Sequence, residues 1–428
     1  VVPPSKKHKF WIIFSLAFAG EMIFTLPYHV IRYFRPTFLL VFEVTNTQIG
    51  DAFALYGITA ALSYFPSGIV ADRLSARKLM ATSLFISSLG GLYFMTIPDQ
   101  TGLTVLYGIW GISTILLFWS AMLSVTRDWG GKNSQGLAFG LLDGGRGLLG
   151  AGAASIAVLI LSSFLPDNQE FVTQGHRTSA LQKIIFYYTV LTFLAGLVVW
   201  FIIPEMKNRK KNFHALKGIK KVMTNKLVWL QSIVVICAYC GYRGLDYYAL
   251  YGVEIWDMSE IASARLMSFS TYLRPVGAVL AGVLADRFTT KRMVSISFFL
   301  LLLTYLVFLF IKPTMSLYYF FMLNIALSFL AIYALRGIYF AFFEESKIPA
   351  EFTGTAAGLI SVVGYSPDIF FGSVFGRILD SSPGAKGFQS FFFILAAITL
   401  IGILSVSILG AINRQNNNSF IKSKQRYK

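Results

Sequence analysis

The sequence predicts an all-α integral membrane protein of about twelve transmembrane helices, arranged as two pseudo-symmetric six-helix halves. Three observations predict it. Of 428 residues, 55% are apolar and only 13% charged, against roughly 45–50% and about 25% in soluble domains. The apolar residues arrive in blocks long enough to span a bilayer, which takes about 20 residues as a helix. Finally, a charged eleven-residue segment occurs twice, once in each half of the chain.

Apolar blocks of the first half fall near 10–40, 48–71, 79–97, 102–127, 136–164 and 182–203. Those of the second fall near 228–252, 262–285, 293–311, 316–343, 354–379 and 388–412. Backbone groups in lipid must pair within their own segment, so the blocks are read as helices. The division is therefore 1–203 for the first half, 204–226 for a basic connection and 227–428 for the second half with a basic tail.

Charge sets the orientation. Lysine and arginine gather at alternate connections: Lys6, Lys7 and Lys9; Arg73, Arg77 and Lys78; Arg127 and Lys132; eight between Lys207 and Lys226; Arg287, Lys291 and Arg292; and the tail from Lys422. The intervening loops, such as Glu43–Gln48 and Pro98–Thr101, carry almost none. Positively charged loops stay inside, so both termini and the central connection are expected in the cytoplasm, in a bacterial inner membrane. The net charge of +17 is thereby a topological signal and not a nucleic-acid surface. The two cysteines, Cys237 and Cys240, lie within one apolar block with no second pair to complete a metal or redox site. No cleavable signal peptide is expected. No Walker motif, nucleophile elbow or metal-spaced cluster occurs, so no enzyme activity, cofactor or metal is expected, and ATP is not the energy source.

The repeated segment is Gly68-Ile-Val-Ala-Asp72-Arg73-Leu-Ser-Ala-Arg77-Lys78 and Gly282-Val-Leu-Ala-Asp286-Arg287-Phe-Thr-Thr-Lys291-Arg292. A second echo pairs Gly136-Leu-Ala-Phe-Gly140 with Gly354-Thr-Ala-Ala-Gly358. Similar offsets make the halves parallel repeats. The doubled G-x-x-x-D-R-x-x-x-[RK]-[KR] pattern resembles the signature loop of the major facilitator superfamily. That resemblance implies alternating access around one binding site between the halves. It also implies that Asp72, Arg73, Asp286 and Arg287 join gate networks, with Arg127 and Glu345 as their natural partners. The alternative is that these charges only fix topology.

Val30-Ile-Arg32-Tyr-Phe-Arg35-Pro-Thr-Phe38 and Tyr242-Arg243-Gly-Leu-Asp246-Tyr-Tyr248 resemble the first- and seventh-helix segments of the organophosphate:phosphate antiporters. By that resemblance, Arg32 and Arg243 grip the substrate anion. The fifth-helix histidine of the glycerol-3-phosphate transporter has no counterpart here; its place falls at Gly145, beside Arg146.

Within the spans, six arginines (Arg32, Arg35, Arg146, Arg243, Arg274, Arg336) accompany four acids (Glu21, Asp143, Asp246, Asp368). Charges at membrane depth are costly and mark pathways, and a guanidinium surplus favours an anion. Glu21, Thr25, Tyr28, Arg32 and Arg35 form one helical stripe; Tyr239, Arg243 and Asp246 form another, and Ser361, Tyr365 and Asp368 a third. The family's cavity-lining helices would bring Arg32, Arg243 and Arg336 together with Tyr28, Tyr239, Trp119 and Tyr339. Asp143 and Arg146 are spaced to pair within their helix, and Asp246 to orient Arg243. Arg35 and Arg274 are spaced to snorkel or bind backbone. Glu21 is a proton carrier, a partner of Arg32 or a polar lining residue. Glycines 140, 144, 145, 147 and 150 predict a tight contact with a helix of the other half.

The function expected is secondary transport of a small organic anion, a phosphate ester or carboxylate, with a co-transported proton or counter-anion, by a monomer. A drug exporter would need a cavity with little charge. A membrane sensor that keeps the transporter fold is the other alternative.

Overall fold

The computed structural model describes residues 6–131, 134–166, 168–205, 222–339 and 353–426, and side chains within them except 6–8, 65, 353–357 and 413–426. The basic run from Lys207 to Lys221, the tail lysines and Glu345 lie outside the described residues or side chains.

The described helices form twelve segments. In the first repeat these are α1 (Lys9–Phe42), α2 (Asn46–Arg73), α3 (Ala76–Phe94), α4 (Gln100–Gly130), α5 (Gln135–Phe164) and α6 (Gln174–Ile202). In the second they are α7 (Lys226–Trp256), α8 (Glu260–Arg287), α9 (Thr290–Phe310), α10 (Met315–Ile338), α11 (Gly358–Ser381) and α12 (Ala385–Ile412). Ten are long and apolar enough to cross a membrane, and α2, bent by 56° at Pro66, makes eleven. The segment below that threshold is α3, whose first turn holds Arg77 and Lys78 and whose buried face holds serines. Those serines are satisfied: Ser83 and Ser87 hydrogen-bond Ser113 of α4.

Local chemistry sets the helix ends. Thr45, Asp99, Thr173, Ser259 and Thr289 cap the helices that follow them. Both α1 and α7 end on a left-handed residue, Glu43 at φ 51° and Asp257 at φ 50°. Glu43 and Thr45 precede Asp72 by the same intervals as Asp257 and Ser259 precede Asp286, so the repeat extends from sequence to cap geometry.

Proline breaks α1 where its polar stripe lies. Pro27 sits in a π-turn over Thr25–His29, and Phe34 is non-helical two residues before Pro36. Each proline removes a backbone donor and crowds the carbonyl four residues earlier. Tyr107 of α4 donates to the Pro27 carbonyl at 3.0 Å. A second π-turn, Ser113–Trp119, interrupts α4. π-turns of this kind recur at functional sites.

The chain forms two compact units that do not follow the repeats. One contains residues 1–211, 245–275 and 368–388; the other contains 212–244, 276–367 and 389–428. The first unit therefore holds all of the first repeat plus the ends of α7, α8, α11 and α12 around Asp257 and Gly384. There, Asp380 of α11 accepts from the Asn46 and Thr47 amides at 3.1 and 2.7 Å, at the start of α2. Arg377 pairs with Asp51 at 3.1 Å. Glu260 of α8 takes Arg177 of α6 at 2.7 Å and the Thr37 hydroxyl. The core of the second unit is aromatic and aliphatic, with Phe308 stacked on Phe392 at 4.2 Å and Tyr305 beside it.

Candidate functional site

The polar stripe of α1 is buried throughout: Glu21, Thr25, Tyr28, Arg32 and Arg35 are each at most 9% exposed. Burial of three charges on one helix demands partners, and the first unit supplies them from four other helices.

Arg32 Nε donates to Asp246 Oδ1 at 2.6 Å, joining α1 to α7. The Asp246 carboxylate, which its spacing offers to Arg243, here reaches Arg32. Tyr28 donates to Asp368 of α11 at 3.4 Å and packs edge-on against Tyr56. Arg35 neither snorkels nor rests on backbone alone. Its Nε donates to Asn46 Oδ1 at 2.8 Å, and its guanidinium lies 3.9 Å over the Tyr247 ring.

Glu21 is not held by Arg32. Its Oε1 lies 3.0 Å from Arg274 Nη1 of α8 and 3.3 Å from His29 Nε2, and its Oε2 lies 3.2 Å from Arg146 Nε of α5. The Arg146 contact is an ion pair without hydrogen-bond alignment, since neither atom has a hydrogen-bond partner among the described residues. Asp143 takes the other side of Arg274, Oδ1 to Nη2 at 3.0 Å. The i, i+3 spacing predicts an Asp143–Arg146 pair; close contacts also run across helices, from Arg274 to Asp143 and Glu21 and from Arg146 to Glu21. The reason is geometric. Small residues at Gly147 and Gly150 let α8 and α1 approach α5, bringing Arg274 and Glu21 to its surface. Of the five glycines, Gly147 makes the expected approach to the other half, against Arg274 and Pro275, whereas Gly140 and Gly144 face open space. Trp119 and Phe24 wall the cluster, with Arg146 5.8 and 5.6 Å from their rings.

His29 is the residue that sequence reasoning missed. It is 4% exposed, between the rings of Tyr33 at 5.3 Å and Tyr188 at 5.9 Å. The signal was present: Glu21, Thr25 and His29 step by four. Counting back from the equivalent caps Glu43 and Asp257 gives a second signal. His29 stands in the first repeat where Arg243 stands in the second, and Arg32 stands where Asp246 stands.

In the second unit, Arg243 is buried at 2%. On the same helix, Tyr239 packs edge-on against Tyr365 of α11 at 4.9 Å, and Tyr242 lies under the Arg336 guanidinium at 3.9 Å. The Tyr339 hydroxyl lies 3.2 Å from that of Tyr365. Tyr239, Tyr339, Arg336 and Tyr365 thus belong to one cluster built from α7, the end of α10 and α11.

Asp72, Arg73, Arg127, Asp286 and Arg287 are exposed at helix ends. Next to them Arg77 and Lys78 hold Glu205, beyond α6, at 2.7 and 3.0 Å. The hydrogen bond and charge of Lys78 lower the Glu205 carboxyl from its ordinary range. Among the described residues no group of three or more His, Cys, Asp or Glu is arranged for a metal.

Comparison with known proteins agrees with this architecture. The inner membrane protein YqcE of Escherichia coli is 28% identical over 407 residues, 91% of this chain and 92% of its own length. The glycerol-3-phosphate transporter of Bacillus subtilis is 21% identical over 295 residues, 64% of this chain and 65% of its own. The crystal structure of the nucleoside transporter NupG superposes with a TM-score of 0.71 at 14% identity, covering 94% of this chain and 98% of that one. The Major Facilitator Superfamily family model matches residues 10–371. With its helical segments, its doubled signature loop and that match, the chain belongs to the Major Facilitator Superfamily and is a multi-pass membrane transporter, not an enzyme.

Proposed function

We propose that this transporter carries a small organic anion, a phosphate ester or carboxylate, by alternating access. The observation that carries the reading is the arginine surplus at membrane depth. Arg32, Arg35, Arg146, Arg243 and Arg274 are all at most 6% exposed, and the acids at the same depth are fewer. A guanidinium binds phosphate or carboxylate through two parallel hydrogen bonds, and burying one without use is expensive. Arg32 and Arg243 are the groups proposed to recognise the anion, with Tyr28, Tyr239 and Tyr339 as hydroxyl donors and Trp119 and Arg336 lining the path. Asp72, Arg73, Arg127, Asp286, Arg287 and Glu345 are proposed to hold the cytoplasmic gate. The glycerol-3-phosphate transporter among the relatives supports this substrate class.

The test is a thermal-shift screen of the purified protein against sn-glycerol-3-phosphate, hexose phosphates, carboxylates, nitrate and inorganic phosphate. It is followed by flux of any binder into proteoliposomes. Stabilisation by an anion that then crosses the bilayer supports the reading. Stabilisation only by uncharged lipophilic compounds would overturn it, and binding without flux would favour a sensor.

A further inference from the structure

The Glu21 cluster carries a charge account that points to the coupling ion. Two carboxylates, Glu21 and Asp143, face two guanidiniums, Arg146 and Arg274. They sum to zero, and a neutral His29 completes a neutral site. Arg32, on the same helix, is matched by Asp246. The other titratable groups facing His29 are the phenols of Tyr33 and Tyr188. His29 Nε2 lies against the Glu21 carboxylate, which assigns the ring hydrogen to that nitrogen. Nδ1 is left as a bare lone pair, buried and with no hydrogen-bond partner among the described residues.

Arg274 is the one cation of this cluster contributed by the second repeat. If α8 draws away from α1 and α5, the site loses a positive charge and keeps both carboxylates. An uncompensated buried charge is costly. A proton on His29 Nδ1 restores neutrality, and it does so on the residue that already touches Glu21. Arg274 and protonated His29 thus compete for one carboxylate.

We infer that His29 is the proton-binding site of this transporter, and that protonation is exclusive with the Arg274–Glu21 contact, so that opening of α8 from α1 and α5 is coupled to uptake of one proton. The proton comes from water and returns to water, with no covalent step. Asp143, whose side chain is 38% exposed, marks the side from which water enters as Arg274 leaves. This places the proton on His29 and not on Glu21, which remains the shared anion in both states. The repeat register agrees, since His29 occupies the position at which the second repeat has the permanent cation Arg243. The inference rests on alternating access and not on the identity of the anion.

The experiment is a spin-label distance measurement in lipid nanodiscs, with labels at Gln169 and Asp257, both in the first unit and exposed. No substrate is added, and pH runs from 8 to 5. In the unsubstituted chain the ratio of open to closed populations should rise as pH falls, by at most tenfold per pH unit for one proton. His29→Gln should remove the slope. Arg274→Gln should remove it too, but with the open population raised at every pH, because the competitor is gone. A pH-independent distance in the unsubstituted chain overturns the inference without any variant, as does a His29→Gln protein that keeps the full slope. If inorganic phosphate or sn-glycerol-3-phosphate shifts the distances and pH does not, the proton assignment fails and the anion reading stands. If pH shifts them and no anion binds, the reverse holds.

Discussion

Closure of the first unit around α2 and α11 should be far more sensitive to an added methyl group at Gly50 than at Gly372. A Cβ built on Gly50 would lie 2.2 Å from the Gly372 carbonyl oxygen and 2.3 Å from its carbon. One built on Gly372 would lie 2.9 Å from Gly50 Cα and 3.2 Å from its oxygen. Ordinary contact begins near 3.4 Å, so Gly50→Ala must push the helices apart by roughly 1 Å, and Gly372→Ala by about half that. The obstacle is backbone, which cannot swing aside as a side chain can. Overpacking of this kind costs about 1–3 kcal/mol. At about 1.4 kcal/mol per tenfold, Gly50→Ala should lower the closed population by roughly 5- to 150-fold. Gly372→Ala should sit at the low end. The separation would also strain the Asp380 contacts to the Asn46 and Thr47 amides and the Arg377–Asp51 pair, which lie on the same two helices. Gly68→Ala is the control: its Cβ meets nothing within 4 Å, and alanine favours the helix by about 1 kcal/mol. The assay is maleimide accessibility of a cysteine replacing Tyr28, which is buried in the closed arrangement. A Gly50→Ala protein as protected as the unsubstituted one would refute the reasoning, and equal effects at the two glycines would show that backbone contact does not set the closure.

Arg32→Lys and Arg243→Lys should each weaken binding of the anion found in the thermal-shift screen by about 2–5 kcal/mol, since lysine keeps charge but not the planar fork; wild-type affinity in either mutant, read by calorimetry, would rule out that arginine. Asp246→Asn should destabilise the protein by about 3–5 kcal/mol because Arg32 is left buried opposite a neutral group, whereas the exchange Arg32→Asp with Asp246→Arg should recover part of that melting temperature. The Glu205 carboxyl is lowered by Lys78, so the tether it makes to α3 is complete above its ordinary value of 4.5 and is lost as pH falls through the lowered value; the protection of amides 203–205, exchange relative to the free peptide at the same pH, should fall in acid, and Glu205→Gln should lose that dependence. A cysteine replacing Gln169 and one replacing Lys78 should label from opposite sides of the membrane; labelling of both from outside would overturn the twelve-helix topology.

The fold was legible because its signals are long. Blocks of about twenty apolar residues and a doubled charged loop survive errors of a few residues at each end. The threshold failure of α3 follows from the same arithmetic, since two basic residues and three serines lower its mean without changing its place in the fold. The buried charges of the candidate site are legible in the sequence, and their contacts across helices are not. Glu21, Arg32, Arg35, Asp143, Arg146, Arg243, Asp246 and Arg274, the ionisable residues named within the spans of α1, α5, α7 and α8, are each found buried or paired. Spacing offers partners on the same helix, as with Asp143 and Arg146, whereas packing also brings Glu21 to Arg146 and Arg274. One turn of helix carries neighbours at three and four residues. It carries no information about which second helix will lie across it. His29 carries no fixed charge to mark it, and a neutral imidazole shows its role only when a carboxylate lies 3.3 Å away.

The repeats explain why the pairings take the form they do. Two copies of one ancestral half, superposed on their caps, place Arg32 and Asp246 at one position and His29 and Arg243 at another. If both copies had kept arginine at the first position, the first unit would hold two like charges where α1 meets α7, a contact that costs several kcal/mol in low dielectric. With arginine in one and aspartate in the other, the same contact becomes a 2.6 Å ion pair. At the second position the divergence runs the other way, from a permanent cation in one copy to a titratable one in the other. A permanent cation at residue 29 would compete with Arg274 for Glu21 in every state and would hold α8 off. A titratable one competes only when protonated. His29→Arg should therefore behave as a protein locked in the protonated condition: its Gln169–Asp257 distance should stay long from pH 8 to pH 5. His29→Gln should stay short over the same range. Identical distances in the two variants would mean that charge at residue 29 has no part in moving α8, whatever pH does elsewhere in the molecule.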